Sequence, residues 1–240
     1  MPNQSMIVME AGFKIRPGQE EVFLSARDKM MPMALAQPGF VSVYGGPIAN
    51  SSWLYFGVRF ETPELMDAWY NVPQHQTIQG ASKKWWTAVY IRKWCAPQTD
   101  DGHDGPVLAE TRIYRDRALS PAEIEETIGL LRSLEDFAVV PFETLTGEFE
   151  PQPFQLVGPL EIAPSPSATV AYSLFTHWNS ASDLRAWERS AGFAALAKLG
   201  NVTTEAFIPF AEPNPRPDLR TDRMQRDWTA DGRHPKRELS

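Results

Sequence analysis

The chain has 240 residues, of which 42% are hydrophobic, so it can bury a sizeable core in one large or two ordinary domains. Its net charge of −7 arises in residues 97–210, which carry 17 Asp and Glu against 7 Lys and Arg. Nucleic acid is set aside as a partner because neither half offers a basic face. The single cysteine, Cys95, excludes an internal disulfide. Without a leader pattern or an apolar run of ~18 residues, we expect a cytoplasmic protein and no membrane partner.

The first half predicts the element order β-α-β-β-α-β, the ferredoxin-like arrangement of a four-stranded antiparallel sheet with both helices on one face. Period-two alternation in residues 6–15 places Glu10 on the less apolar face of the first strand. Thr62 is a predicted N-cap, and Pro73 breaks the helix that begins after it. The predicted strands cover residues 6–15, 40–45, 53–60 and 85–94, and the predicted helices cover 22–34, 63–71 and a short piece around 75–79.

The third predicted strand has two different faces. One is wholly apolar, and the other is aromatic with polar tips and contains Trp53, Tyr55, Gly57 and Arg59. Trp86 and Tyr90 of the fourth strand are predicted to share that second face. Leaving it in water would expose a large apolar patch, so we expect a second sheet to cover it.

The second half repeats this order after a linker. Residues 107–114 predict a strand with Glu110 placed as Glu10 is, and Ser120 to Glu123 form a capping box. WLYFGVRFETPELMDAW recurs as ATVAYSLFTHWNSASDLRAW, and an offset of 118 residues places Trp69 on Trp187. The same offset sends Arg59 to His177, whereas the corner from Pro73 to His75 has no counterpart in ERSAGFAAL. Residues 137–149 and 154–162 suggest an extended hairpin or inserted loop.

The predicted fold class is therefore α+β, with two ferredoxin-like β-α-β-β-α-β repeats whose antiparallel sheets pack face to face. The predicted divisions are residues 1–96, a linker at 97–106, residues 107–210, and a Pro- and Arg-rich arm at 211–240.

Three stretches carry a resemblance to a known family: FKIRPGQEE, QPGFVSV and FETPELMDAWYNVPQHQ, all within residues 5–95. On them, the first half is similar to the antibiotic biosynthesis monooxygenase family of the dimeric α/β barrel superfamily. The resemblance implies a barrel of two facing sheets with a ligand cavity between sheet and helices. Here one chain would close the barrel, with a homodimer of the whole chain left open.

The family resemblance implies cofactor-free oxidation of aromatic phenols, haem degradation, quinol-type oxidation or a protein without known reaction. The haem-degrading branch is implied to need Asn on the first strand and His about ten residues after the helix Trp. This sequence has Glu10, Gly12 and Gln79 at those places, so that branch is disfavoured. We therefore expect no cofactor and a small-molecule substrate.

His75 is a candidate general base or hydrogen-bond partner for a phenol, because histidine titrates near neutrality. The alternative is an ordinary histidine at a helix corner. Trp69 could stack on an aromatic substrate, but its recurrence as Trp187 favours a packing role.

Tyr55 and Arg59 could orient an oxyanion on the inner face. The alternative for Arg59 is an internal salt bridge to Glu10 or Glu110 across the sheets, with His177 adding to the same cluster. No spacing supports a metal site. The catalytic candidates are thus His75, Tyr55 and Arg59, and the candidates for substrate binding are Trp69, Trp53, Trp86, Tyr90, Glu10 and His177.

Two functions follow as hypotheses. The first is a cofactor-independent monooxygenase or related oxidoreductase for a small aromatic, phenolic or quinone-like substrate. The second is a non-catalytic ligand-binding or stress-associated α/β barrel.

Overall fold

The computed structural model describes residues 6–82, 84–97, 105–132, 134, 137, 154–162 and 170–210. The arm at 211–240, most of the predicted linker and residues 138–153 of the predicted hairpin lie outside these residues. The described part is α+β, with helices covering an antiparallel sheet.

The first half contains four strands and three helices in the predicted order. They are β1 Ile7–Ile15, α1 Glu20–Leu35, β2 Phe40–Pro47, β3 Trp53–Phe60, α2 Pro63–Tyr70, α3 Pro73–Ser82 and β4 Trp86–Cys95. The side chain of Thr62 caps α2 by accepting from the Leu65 N–H at 3.3 Å, as its sequence position predicts. Pro32 lies inside α1, which continues to Leu35.

The described part of the second half contains five strands and three helices. They are β5 Val107–Arg115, α4 Pro121–Leu131, β6 Gln155–Val157, β7 Glu161–Ile162, β8 Val170–Trp178, α5 Ala181–Glu188, α6 Ala191–Leu196 and β9 Asn201–Pro209. The capping box at Ser120 and Glu123 is present at the start of α4. Residues 154–162 form two very short strands, β6 and β7.

The sheet has the strand order β6-β8-β5-β9-β4-β1-β3-β2-β7. Within it, β4-β1-β3-β2 of the first half and β9-β5-β8-β6 of the second half follow the same internal order. The far ends of this order also meet, because Ile48 forms a bridge with Val157 and the Ala49 N–H donates to the Leu156 carbonyl at 2.8 Å. The sheet therefore curls into a barrel-like form.

Alternation along the strands separates an inner face, which lies between the two halves, from an outer face, which packs against helices. Val8, Tyr55 and Trp94 of the first half meet Leu108 and Phe175 of the second in one inner core. On the outer face, Val58 and Phe60 pack with Met66 and Trp69 of α2. The two faces predicted for β3 are confirmed.

The predicted inner position of Trp86 is wrong. The pairing of β1 with β4 shifts by one residue, since Lys14 faces Ala88 while Ile15 faces Trp86. Such a β-bulge turns the side chain before it to the opposite face. Trp86 consequently packs on the outer face, with its ring centroid 5.1 Å from that of Phe13.

The expectation that the corner from Pro73 to His75 has no counterpart is also wrong. Helix α6 begins at Ala191, which is 118 residues after Pro73, just as α5 begins 118 residues after α2. The second corner uses Ser190 as the N-cap of α6 instead of a proline break, and the sequence therefore hides it.

Candidate functional site

The candidate residues occupy two separate places in the molecule. We call the ionisable residues of the inner face, which are buried or half-buried, the inner network: Glu10, Arg59, Arg92, Glu110, Arg112 and His177. We call the group at the junction of α2 and α3 on the outer face the outer corner: Asp67, Trp69, Tyr70, His75 and Lys93. His75 is thus separated by the sheet from Tyr55 and Arg59. A single site that joins these three residues, as the sequence suggested, is not formed.

The first part of the inner network surrounds Glu110, whose exposed fraction is 1%. One carboxylate oxygen accepts from the Tyr44 hydroxyl at 2.8 Å and from Arg59 Nη2 at 2.7 Å. The other accepts from Arg112 Nε at 2.7 Å and from the Ser173 hydroxyl at 2.6 Å. Burial alone would raise the pKa of Glu110, but the charges of Arg112 and Arg59 outweigh it, so the pKa lies below its ordinary value.

Arg59 belongs to this structural ion network. Its Nη2 lies 2.7 Å from Glu110 and 2.7 Å from Glu205, and its guanidinium sits over the rings of Tyr44 and Phe207. The internal salt bridge predicted as the alternative for Arg59 is confirmed, with Glu110 as the partner.

The second part of the inner network surrounds Glu10, which is fully buried. Trp94 Nε1 donates to Glu10 Oε2 at 2.8 Å, and His177 Nε2 lies 3.9 Å from the same oxygen. Arg92 Nη1 lies 3.4 Å from His177 Nε2. Burial would raise the pKa of Glu10, but His177, Arg92 and the Trp94 N–H outweigh it and hold the pKa below its ordinary value.

The aromatic candidates of the inner face are packed between the halves. Trp53 and Tyr55 are each 2% exposed, and the Tyr55 ring stacks on Phe175 at 4.3 Å between centroids. The side chain of Tyr90 lies outside the described part of the structure. Trp53 and Tyr55 therefore act as core residues in this conformation.

The outer corner is built by two consecutive helix boundaries. Helix α2 ends at Tyr70, and α3 begins at Pro73, a residue suited to a first helical position. This sharp connection folds His75 back over the end of α2. Its ring stacks on Trp69 at 4.2 Å between centroids with 14° between planes, and lies 5.7 Å from the Tyr70 ring.

The hydrogen bonds of His75 define its proton position. Nδ1 lies 3.2 Å from the Trp69 carbonyl, which can only accept, so Nδ1 carries the proton. Nε2 then presents its lone pair and accepts from the Gln79 amide at 3.3 Å. Burial lowers the pKa of His75 to about 4, against a smaller rise from the Trp69 carbonyl, so the ring is neutral at pH 7.

Sequence reasoning missed Lys93, a buried cation on the same face. Its exposed fraction is 8%, and Nζ lies 3.6 Å from Asp67 Oδ1 and 5.1 Å from the centroid of the Tyr70 ring. Strand alternation places Lys93 on the outer face with Ile91 and Val89. That alternation was a usable signal, because a charged residue between apolar ones on a helix-covered face needs a buried partner.

Comparison with known proteins gives weak similarities. No family model matches the chain, and neither does any curated protein. Among solved structures, a candidate monooxygenase from Fusobacterium nucleatum is 8% identical, with a TM-score of 0.39 over 87% of this chain and 94% of that chain. Another candidate monooxygenase, from Lactobacillus acidophilus, is 9% identical, with a TM-score of 0.37 over 85% and 94%.

A variant of SnoaB, a cofactor-independent oxygenase from Streptomyces nogalater, is 16% identical, with a TM-score of 0.36 over 41% of this chain and 99% of that chain. Similarities this low assign no function to the chain.

The described side chains also bear on metals and membranes. Within the described ranges, no group of three or more His, Cys, Asp or Glu side chains is arranged to hold a metal ion. None of the helices in that part of the chain combines the length and apolar character that crossing a membrane requires.

The outer corner offers a neutral acceptor, stacked aromatic rings and a buried ammonium within one small region.

Proposed function

We propose that the protein is a cofactor-independent oxygenase for a small aromatic, phenolic or quinone-like substrate, which binds at the outer corner. The observation that supports this most directly is the geometry of His75. Its ring is neutral, lies flat against Trp69 and directs an unprotonated nitrogen away from the backbone. A flat aromatic ligand could stack in the same way and donate its hydroxyl to that nitrogen in place of the Gln79 amide.

His75 would polarise the substrate hydroxyl and would not keep its proton. A nitrogen with a pKa of about 4 is a weak base, so it serves best as an acceptor that aligns the hydroxyl and assists its ionisation. Lys93 would compensate the negative charge that develops on the substrate oxygen, because a buried ammonium is strongly felt in a region of low dielectric.

The reaction would use electrons from the substrate itself. For an anthracenone, the ring CH₂ group becomes a C=O group, one oxygen atom of O₂ enters the product, and the other leaves as water with the two displaced hydrogens. Atoms and electrons balance without a further reductant. The protein then contributes binding, alignment of the hydroxyl and charge compensation.

The test is oxygen consumption with a dihydroxyanthracenone as substrate and chelator present, with the quinone product followed by absorbance. We expect turnover above the spontaneous rate, and a loss of about 100-fold or more in His75→Ala, the size typical of a general acid–base group. Gln76→Ala is the matched control, since Gln76 lies exposed on the same helix. Wild-type protein no faster than buffer would refute the activity, and an unchanged rate in His75→Ala would refute the role of His75.

A second candidate function is a non-catalytic ligand-binding or stress-associated barrel. The observation that favours it is the inner face, where Trp53, Tyr55 and Arg59 are buried in packing and ion pairs. Binding of the anthracenone without oxygen consumption would select this function.

Under either function, we propose that residues 1–96 and 107–210 are tandem copies of one unit, that the protein is cytoplasmic, and that whole chains can pair.

A further inference from the structure

Asp67 and Lys93 form an ion pair whose partners differ greatly in their contact with solvent. Lys93 Nζ lies 3.6 Å from Asp67 Oδ1. The side chain of Lys93 is 6% exposed, whereas that of Asp67 is 58% exposed. The carboxylate therefore lies on the solvent side of the ammonium, and a ligand that comes from solvent meets the negative charge first.

The ring of Tyr70 connects this ion pair to His75. Lys93 Nζ lies 5.1 Å from the centroid of the Tyr70 ring, and the centroid of the His75 ring lies 5.7 Å from the same point. Asp67 precedes Tyr70 by three residues on α2, a spacing that places two side chains on one face of a helix. A ligand stacked at the outer corner would thus lie within the field of both charges.

His75 distinguishes between the two protonation states of a phenol. Its Nδ1 holds the ring proton against the Trp69 carbonyl, so its Nε2 can only accept a hydrogen bond. A neutral phenol has a proton to donate to this nitrogen. A phenolate has none, and its charged oxygen would face the lone pair of Nε2. Lys93 acts in the opposite direction, because an ammonium attracts an anion most strongly where little water screens it.

Asp67 decides the outcome between these two opposed effects. Opposite charges 3.6 Å apart largely cancel each other at longer distances, so Asp67 weakens the attraction that Lys93 exerts on an anion. The hydrogen bond to His75 then becomes the contact that selects the ligand. Such a site binds its substrate uncharged and stabilises the negative charge only as it develops, which favours the transition state over the bound substrate.

We infer that Asp67 is a specificity-determining residue of the outer corner, and that it makes this site bind neutral phenols and reject phenolates. The substrate class is thereby narrowed to phenols that keep their proton at neutral pH. This inference rests on the proposed function for the place of the ligand, but it does not require turnover.

The test compares the binding of 2-naphthol and heptafluoro-2-naphthol at pH 7 by isothermal titration calorimetry. The two ligands share one ring system, and at this pH the first is neutral and the second is ionised. Asp67→Asn removes the charge and keeps the shape of the side chain. The matched control is Glu64→Gln, which removes an equal charge from an exposed position in the first turn of the same helix.

We expect the wild type to bind 2-naphthol more tightly than the ionised ligand. Asp67→Asn should bind the ionised ligand about ten-fold more tightly than the wild type does, and its affinity for 2-naphthol should change by less than about two-fold. Glu64→Gln should change neither affinity by more than about two-fold, because water and salt screen its charge.

Three results would overturn the inference. One is tighter binding of the ionised ligand by the wild type. Another is an Asp67→Asn variant that strengthens both ligands equally or neither, since the effect of Asp67 would then not depend on ligand charge. The third is an equal gain in Glu64→Gln, which would assign the effect to the net charge of the protein.

Failure of the proposed function would give different results. If His75→Ala did not weaken the binding of 2-naphthol, the ligand would lie elsewhere, and the outer corner would be refuted as the binding site together with this inference. If the charge dependence appeared as expected but the protein consumed no oxygen with the anthracenone, only the oxygenase activity would be refuted.

Discussion

The corners around Trp69 and Trp187 share one backbone design and differ in chemistry. Each tryptophan lies near the end of a short helix that begins at a capped residue, and a second helix follows three positions after the first ends. Six residues after the tryptophan, the first half has His75 stacked flat at 14°, while the second half has Phe193 edge-on at 88°. The packing framework is kept in both halves, and the hydrogen-bonding groups occur in only one.

Other equivalent positions also differ in chemistry between the two corners. The offset of 118 residues places Tyr70 on Glu188. The strand pairing makes Ala206 the equivalent of Lys93, because Lys93 lies opposite Met9 in the first half and Ala206 lies opposite Ala109 in the second. Apolar periodicity thus gives the two corners the same packing, while a few polar residues in fixed places distinguish the first corner from the second.

The largest difference in stability is expected between substitutions of the two buried carboxylates, Glu110 and Glu10. Glu110→Ala removes the acceptor of two arginines, a tyrosine and a serine, and should lower the free energy of unfolding by about 3–5 kcal/mol. Glu10→Ala should cost less, because one hydrogen bond from Trp94 is its shortest contact. Urea denaturation at pH 7 measures both, and equal losses would contradict the difference in their networks.

The pH dependence of Glu110 has a defined sign. Its pKa is lower in the folded protein than in the unfolded chain, so its stabilisation is present above the ordinary pKa of 4.5 and is lost as pH falls through the folded value. The stability difference between wild type and Glu110→Gln should therefore shrink below about pH 4.5.

A smaller effect should come from converting the first corner into the second with His75→Phe. The pKa of His75 is about 4 in the folded protein and 6.5 in the unfolded chain. Below pH 6.5 the unfolded chain binds a proton at His75 that the folded protein does not bind, so the free energy of unfolding falls as pH falls towards 4. Between pH 7 and pH 5, the wild type should lose about 2 kcal/mol that the His75→Phe variant does not lose.

The reverse exchange, Phe193→His, is the matched control for this measurement. Phe193 packs edge-on against Trp187, and the first half's flat stack on Trp69 with a bond to its carbonyl is absent there. A new pH dependence of equal size in Phe193→His, or none removed in His75→Phe, would show that the two corners do not differ in the way proposed.

The smallest loss of stability is expected from removing the N-cap side chains of α2 and α5, and it should be the same for both. Thr62 accepts from the Leu65 N–H at 3.3 Å, and Ser180 accepts from the Asp183 N–H at 3.3 Å. Thr62→Ala and Ser180→Ala should each cost about 1 kcal/mol in thermal or urea unfolding. Costs that differ by more than about 1 kcal/mol would mean that the two helix starts are not equivalent.

The fold was largely predictable because it depends on local, repeated signals. Alternation assigned the two faces of β3, and cap residues such as Thr62 and Ser120 located helix starts. The register shift at Lys14 and Ile15 was not predictable, since a bulge depends on pairing with β1 and leaves no mark in β4 itself. Trp86 was misplaced for that reason.

The site was harder to predict than the fold. The sequence identified His75, Tyr55 and Arg59 as chemically interesting, but it could not show that the sheet separates the first from the other two. The ion pair of Arg59 with Glu110 joins residues 51 positions apart and depends on how the halves face each other. Lys93 was missed because its partner, Asp67, lies on a helix and not on the neighbouring strands.

The inner network has a consequence for how the halves recognise each other. The offset of 118 residues places Arg59 on His177. Arg59 lies between Glu110 and Glu205, whereas His177 lies near Glu10 and Arg92. If a first half faced a second copy of itself, Arg59 would lie near Glu10 and Arg92. Glu10 would attract Arg59, but Arg92 would repel it. Two second halves would place His177 between two carboxylates and leave Glu205 without its arginine. The buried charges thus favour the unlike pair over either like pair, and joining both halves in one chain supplies that pair in a fixed one-to-one ratio.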